Sequence, residues 1–378
     1  MQVELFAHMP VDSVSGIGRY MRELHAHLQE RVPVRFVTPI DPPLTRFFSP
    51  LHFFPLGLRG HQPGSIVHFT QIMGCAIMLY RPYHPSVATV HDLGFLELPE
   101  EWEMLDGVAR QMLRLSLAGL KRVDMIVADS EFTHHGIIRH LGIPPERAVT
   151  IYPGIDHELF RPISDAREML VRHYSHLAAI APAPWLLYVG SELPRKNMST
   201  LLQAIALVRK QIPNIRLIKV GSAGGEHFRR ETSRVISELG LEDHIVIFED
   251  VPEAALPLFY GAADAFVTAS RLEGFGLPAL EAMACGTPVV CSNAGALPEV
   301  VGDAGFLVEP HDARGFAEAM VQVWKDGHLR NRLIEIGLQR CRLFAWEQAA
   351  AETVGVYHGL RHRATTHSKV EARSGEPR

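Results

Sequence analysis

The sequence predicts an α/β protein built from two doubly wound parallel sheets. Three observations carry that prediction. Short apolar runs alternate with helical patterns along most of the chain. The runs are near-continuously apolar, which marks strands covered on both faces. The series also occurs twice, so a single sheet does not account for it.

In the first half, strands are predicted at Gln2–Phe6, Val34–Thr38, Ser65–Phe69, Val87–His91, Met125–Ala128 and Val149–Ile151. Helices are predicted at Ile17–Gln29, Asp106–Lys121 and Glu131–His140. In the second half, "WLLYVG", "IRLIKVG", "HIVIF", "AFVTA" and "PVVCS" form five apolar strands separated by helical stretches. The junction falls at Arg161–Pro184, where Pro162 and "IAPAP" flank one helical stretch. The expected plan is a first domain over 1–160, a linker over 161–184 and a second domain over 185–345. A final helix over 346–363 and a polar, disordered tail over 364–378 complete it. Ligands of such sheets sit beyond the carboxyl ends of the strands, so the expected site is the cleft between the domains.

Composition narrows the classes. With 378 residues, 47% hydrophobic and 21% charged, the chain is long enough for two globular domains. The net charge of -5, with no basic first half, argues against nucleic acid as a partner. The four cysteines (Cys75, Cys285, Cys291 and Cys341) form no CxxC, which points to reduced thiols in a cytosol. The chain opens straight into an apolar strand, so no signal peptide is expected. No run reaches the ~18 apolar residues of a membrane span. The expected location is cytoplasmic. A peripheral contact at the inner face of the membrane is left open by Arg110, Arg114 and Lys121 on the helix 106–121, although a solvated face is the simpler reading.

"RLEGFGLPALEAMACGTPVV", Arg271 to Val290, places two carboxylates eight positions apart. "DAFVTA" ends as a strand near Ala269, so Glu273 falls in the loop leaving its carboxyl end. A helix begins near Gly276, with Pro278 in its first turn, where a missing N–H costs nothing. Glu281 then lies about one turn into the helix. The amides of Phe275, Gly276 and Leu277 head it and suit phosphate or sugar oxygens. The bland alternative is a capped helix with an exposed acid.

In "YVGSELPRKNMSTLLQA", Arg195 and Lys196 stand together after a strand, and Asn197 or Ser199 is a candidate cap. Adjacent cations there can neutralise a diphosphate, or form an ordinary basic turn. "DSVSGIGRYMREL" offers Gly16 and Gly18 before a helix, short of a full GxGxxG fingerprint. "ATVHDLGF" ends a strand at His91, a candidate for hydrogen bonding or proton handling, or a plain turn histidine.

Together these segments resemble glycosyltransferase family 4, retaining nucleotide-sugar transferases of the GT-B fold. The resemblance runs through "SGIGRY", "TVHDLGF", "ADSEFT", "IYPGID", "YVGSELPRKN", "KVG", "FEDV", the Glu273–Glu281 stretch and "NAGALPEVVGDAGFLVEP". It implies that Arg195 and Lys196 clamp the donor diphosphate and that Glu273 lies beside the donor sugar's hydroxyls. It implies Glu281 on the ribose, and Gly274, Phe275, Gly276 and Leu277 against the sugar or β-phosphate. Gly16 and Gly18 would approach the diphosphate, Val251 of "FEDV" would join the donor site, and His91 would stand near the reacting sugar. The last helix, Trp346–Leu360, would cross back to the first domain.

No D-x-D triplet occurs. No metal or other cofactor is therefore expected, Arg195 and Lys196 supplying the charge. The implied reaction moves a hexose from a nucleotide-diphosphate sugar to a glycan, lipid-linked or small-molecule acceptor with retention. Mannose from GDP-mannose is mildly preferred over a UDP-sugar, because "TVHDLGF" and "YPGID" look like bacterial mannosyltransferases. The alternatives are a non-catalytic nucleotide-sugar-binding protein and a nucleotide-sugar epimerase of the same fold.

Overall fold

The computed structural model describes residues 1–7, 15–40 and 55–374. Asp12–Val14 of the glycine-bearing segment and residues 375–378 of the tail lie outside the described residues. The chain divides into two compact units. Unit 1 comprises 1–154 and 345–378, and unit 2 comprises 155–344.

Unit 1 holds β1 (Val3–Phe6), β2 (Val34–Pro39), β3 (Leu58–Arg59), β4 (Ile66–Phe69), β5 (Ser86–Val90), β6 (Met125–Ala128) and β7 (Ala148–Thr150). Their order across the sheet is β3-β2-β1-β4-β5-β6-β7. Every neighbouring pair is parallel except β2 and β3. The two-residue β3 has no run of apolar residues to announce it. Polar caps set the helix starts. Asp106 Oδ1 accepts from Ala109 N at 2.7 Å, and Ser130 Oγ accepts from Thr133 N at 3.1 Å. Ser15 Oγ likewise accepts from Gly18 N at 3.1 Å, so the first helix begins at Gly16. Gly16 and Gly18 therefore both lie in its first turn, and the helix starts one residue earlier than the predicted Ile17. The core packs Val3, Leu5, Tyr20 and Leu24 against Trp346, Ala350, Tyr357 and Leu360 of the final helix, Trp346–Ser374. That helix runs past the expected end at 363, and no glycine or proline lies between 363 and Gly375 to stop it.

Unit 2 holds β8 (Trp185–Val189), β9 (Arg216–Val220), β10 (Ile245–Phe248), β11 (Ala265–Thr268), β12 (Val289–Ser292) and β13 (Gly305–Val308). The order is β10-β9-β8-β11-β12-β13, parallel throughout. The expected linker is not a linker. Leu170 of its helix Ala166–His173 is buried, and Arg167 bonds Asp264 Oδ2 at 2.7 Å while its guanidinium lies over the Trp185 ring. Residues 161–184 pack as part of unit 2 because these side chains tie them to its sheet. Connections wind outward in opposite directions from β8 and β11, so the loops leaving those two strands meet at the sheet's switch point.

Candidate functional site

The switch point of unit 2 brings Lys196 and Glu273 together. Pro194–Lys196 forms a 3-10 turn after β8, and Glu273 lies in the loop after β11. Because those strands are neighbours, the two loops touch: Arg271 N donates to Arg195 O at 2.7 Å. Lys196 Nζ donates to Glu273 Oε1 at 2.7 Å and Oε2 at 2.8 Å, and Ser270 Oγ donates to Oε1 at 2.7 Å. Lys196 and Glu273 are only 14% and 13% exposed. Burial alone would raise the Glu273 carboxyl. The charges of Lys196 and Arg195 and the two hydrogen bonds outweigh it and hold the group below the usual carboxylate range.

Three features fix this pair. Asn197 adopts a left-handed backbone, φ 55°, at the head of the helix Met198–Arg209. Its Nδ2 donates to Ala269 O at 3.0 Å and Pro310 O at 2.6 Å, pinning the turn to two other loops. Thr200 Oγ1 donates to its Oδ1 at 2.9 Å. On the far side, Ala296 N donates to Glu273 O at 2.9 Å. Gly295, φ 60°, lies so close that a Cβ there would fall 2.6 Å from the Glu273 backbone N and O. Behind the turn, fully buried Glu192 bridges Lys219 of β9 at 3.0 Å and Arg229 at 2.8 Å. Lys219 Nζ also donates to Ser222 O at 3.2 Å. This buried ion cluster joins the loop carrying Arg195 and Lys196 to the loop after β9.

The helix Leu277–Ala284 starts from Gly276 at φ 107°, with Pro278 in its first turn. Gly274, Phe275 and Gly276 are buried in the approach, and the Phe275 ring packs edge-on against Phe344 at 5.5 Å. Glu281 is buried one turn in, and Tyr260 OH donates to its Oε2 at 2.6 Å. Val251 is half-buried in the loop after β10.

In unit 1, His91 follows β5 and lies 15% exposed. Both ring nitrogens are engaged: Nδ1 with Asp129 Oδ2 at 2.5 Å, Nε2 with Thr70 O at 2.8 Å. Gly16 is exposed and Gly18 buried at the head of the first helix. Arg110 and Arg114, considered above for a membrane face, fasten the short helix Pro99–Met104 instead. Arg110 donates to Trp102 O at 3.1 Å and Glu103 O at 2.8 Å, and Arg114 lies over the Trp102 ring. Among the described residues, no helix is long and apolar enough to cross a membrane, and no group of three or more His, Cys, Asp or Glu could hold a metal ion. All four cysteines are free and buried.

Sequence reasoning missed Ser270, Tyr260, Asp129 and the cluster Glu192–Lys219–Arg229. The one available signal was Lys219, a charge within the otherwise apolar run "LIKV".

The comparisons agree with this architecture. The family model described as "Glycosyl transferases group 1" matches residues 179–340, and that described as "Glycosyltransferase Family 4" matches residues 14–159. The chain is 36% identical over 277 residues to O-antigen chain mannosyltransferase B of Escherichia coli, covering 72% of this chain and 70% of that one. It spans between 52% and 70% of the length of eight curated relatives that it matches. A sucrose-phosphate synthase from Thermosynechococcus elongatus superposes with a TM-score of 0.78 at 25% identity, covering 96% of this chain and 99% of that one. Anabaena HepE, solved with UDP and glucose, superposes with a TM-score of 0.73 at 20% identity, covering 94% and 99%. The fold is thus that of the GT-B glycosyltransferases, with a parallel-sheet α/β domain in each unit. The chain belongs to the group 1 glycosyltransferases of family 4.

Proposed function

We propose that the chain is a retaining glycosyltransferase that moves a hexose from a nucleoside-diphosphate sugar to a glycan, lipid-linked or small-molecule acceptor. The observation that carries the reading is the Lys196–Glu273 pair at the unit 2 switch point, beside the head of the helix Leu277–Ala284. An ammonium has three hydrogens, and two face Glu273. The third is left for a phosphate oxygen, while the ionised carboxylate accepts from sugar hydroxyls. Arg195, whose charge already acts on Glu273, adds the second cation. As the glycosidic bond breaks, negative charge grows on the β-phosphate. Lys196, Arg195 and the amides of Gly276 and Leu277 stabilise that growth without reorganising. Glu281, oriented by Tyr260, takes the ribose hydroxyls, and Val251 flanks the base.

The leaving phosphate takes the acceptor's proton on the face it departs from, which retains the anomeric configuration. The two cations supply the charge that a divalent ion would supply elsewhere, so the reaction proceeds without metal. Mannose from GDP-mannose is favoured by the 36% identity to the Escherichia coli mannosyltransferase. A thermal-shift screen of UDP, GDP and ADP sugars tests the donor, because a ligand of the native state raises the midpoint by mass action. Turnover with an acceptor mixture tests the reaction. Donor binding without turnover would mark a binding protein, and a free epimerised sugar without acceptor would mark an epimerase.

A further inference from the structure

β4, β5 and β6 are neighbouring parallel strands; β5 and β6 end in register, Val90 opposite Ala128, while β4 ends at Phe69, opposite Ala88. Thr70 follows Phe69, His91 follows Val90 and Asp129 follows Ala128. His91 and Asp129 therefore leave the carboxyl end of the sheet side by side, Thr70 leaves one strand over and two residues lower, and His91 bonds to both.

The hydrogen bonds fix the proton count. The Thr70 carbonyl only accepts, so Nε2 of His91 carries a hydrogen. At 2.5 Å from Asp129 Oδ2, Nδ1 also needs a proton between the two atoms, because two bare lone pairs would repel. His91 and Asp129 together hold two protons, as an imidazolium and its own counter-ion.

We propose that Asp129 is a positioning residue that locks His91 in the doubly protonated form with both N–H groups committed inside unit 1, so that His91 serves glycosyl transfer as a fixed charged group and not as a proton acceptor. This rests on the transferase reading given above. It also narrows the role open to His91 from its position alone, since a ring with no lone pair takes no proton from an acceptor hydroxyl.

The surroundings hold the same state. Tyr20 packs edge-on against His91 with ring centroids 4.8 Å apart, and its hydroxyl shares Thr89 Oγ1 with His68 Nε2 at 3.1 and 2.8 Å. His68 Nδ1 lies 2.6 Å from the hydroxyl of Tyr357 on the final helix. The groups acting electrostatically on His91 are Asp129, Asp92 and His68, with Tyr20 against its ring. Burial lowers His68 to about 3, reinforced by the charge on His91, so His68 stays neutral. Burial opposes the charge on His91 too, but Asp129, the Thr70 carbonyl and Asp92 outweigh it and raise the ring above the usual range.

The full chain, labelled with nitrogen-15 at histidine, tests this directly. His91 is assigned by its disappearance in His91→Gln. In the native protein both ring nitrogens should report as protonated at about pH 7, above the ordinary histidine value. In Asp129→Asn the ring should lose a proton at lower pH, and turnover should acquire a pH dependence that the native enzyme lacks between about pH 6 and 8. A bare His91 nitrogen in the native protein at pH 7 would overturn the proposal. Should Asp129→Asn fail to fold, the native spectrum alone decides. The spectrum needs no turnover, so an inactive chain with a doubly protonated His91 would sink the transferase reading and leave the proton assignment standing. A bare nitrogen in an active chain would do the reverse.

Discussion

Replacing Lys196 by Met removes one partner of the Lys196–Glu273 pair. The carboxylate is left with the Ser270 hydroxyl and the nearby Arg195 charge. Breaking a fully buried pair costs about 3–5 kcal/mol, whereas an exposed pair is worth about 0–1 kcal/mol. Side chains 14% and 13% exposed stand nearer the buried case. We therefore expect Lys196→Met and Glu273→Gln each to destabilise unit 2 by about 2–3 kcal/mol. The double variant should lose less than the sum, leaving a coupling of about 1–3 kcal/mol. Urea unfolding of the four proteins measures it, read from a transition that reports on unit 2, since a two-unit chain need not unfold in one step. The sign with pH follows from the depressed carboxyl. Its contribution is full above the unfolded value of about 4.3 and is lost as pH falls through the lower folded value. Additivity within about 0.5 kcal/mol at pH 7 would mean that the pair does not hold in solution, and the clamp reasoning built on it would fall.

Glu281→Ala should weaken free nucleoside diphosphate as well as the intact donor, by the 1.5–3 kcal/mol or so of a charge-assisted hydrogen bond; calorimetry checks both ligands. Asn197→Ala removes the anchors to Ala269 O and Pro310 O and puts alanine at φ 55°, so turnover should fall by about tenfold or more while the fold survives, as circular dichroism would show. Gly295→Ala drives a Cβ into the Glu273 backbone at φ 60° and should cost more than about 1 kcal/mol of stability, read by urea melts. Turnover should survive EDTA, and proton NMR of the first-formed product should show the donor's anomeric configuration; loss of activity restored by magnesium or manganese, or an inverted product, would reject the mechanism.

The fold was legible because parallel strands buried on both faces write themselves as unbroken apolar runs, and "WLLYV" and "AFVT" mark β8 and β11 with little else to read. The positions of Arg195, Lys196 and Glu273 followed from where those runs stop. What they touch was not legible. Nothing in "PRKN" says that Lys196 turns to Glu273, because that depends on β8 and β11 being adjacent, a long-range pairing with no local signature. The one-residue shift of the first helix start, from Ile17 to Gly16, has a local cause. Two glycines look like a loop, but Ser15 caps through Gly18 N and draws both into the helix. The supposed linker failed because its tie to the sheet, Arg167 to Asp264, spans almost a hundred residues and leaves no local signature.

The cluster Glu192–Lys219–Arg229 shows what such long-range polar contacts are for. A buried ion pair is weak evidence of stability, since apolar residues of similar volume often serve as well. Its worth here lies in geometry. Glu192 stands three and four residues before Arg195 and Lys196, and its own amide donates to Ala223 O at 3.0 Å. Lys219 reaches from β9, the strand beside β8, to that acid and to the Ser222 carbonyl. A loop held by apolar contact alone could slide. One held by a buried carboxylate shared between two cations has a single arrangement that leaves no charge stranded in the interior. The turn that presents Arg195 and Lys196 is therefore fixed from behind by this cluster, from the side by Asn197, and from the front by Glu273. Placing cations before charge develops is what electrostatic stabilisation of a departing diphosphate requires.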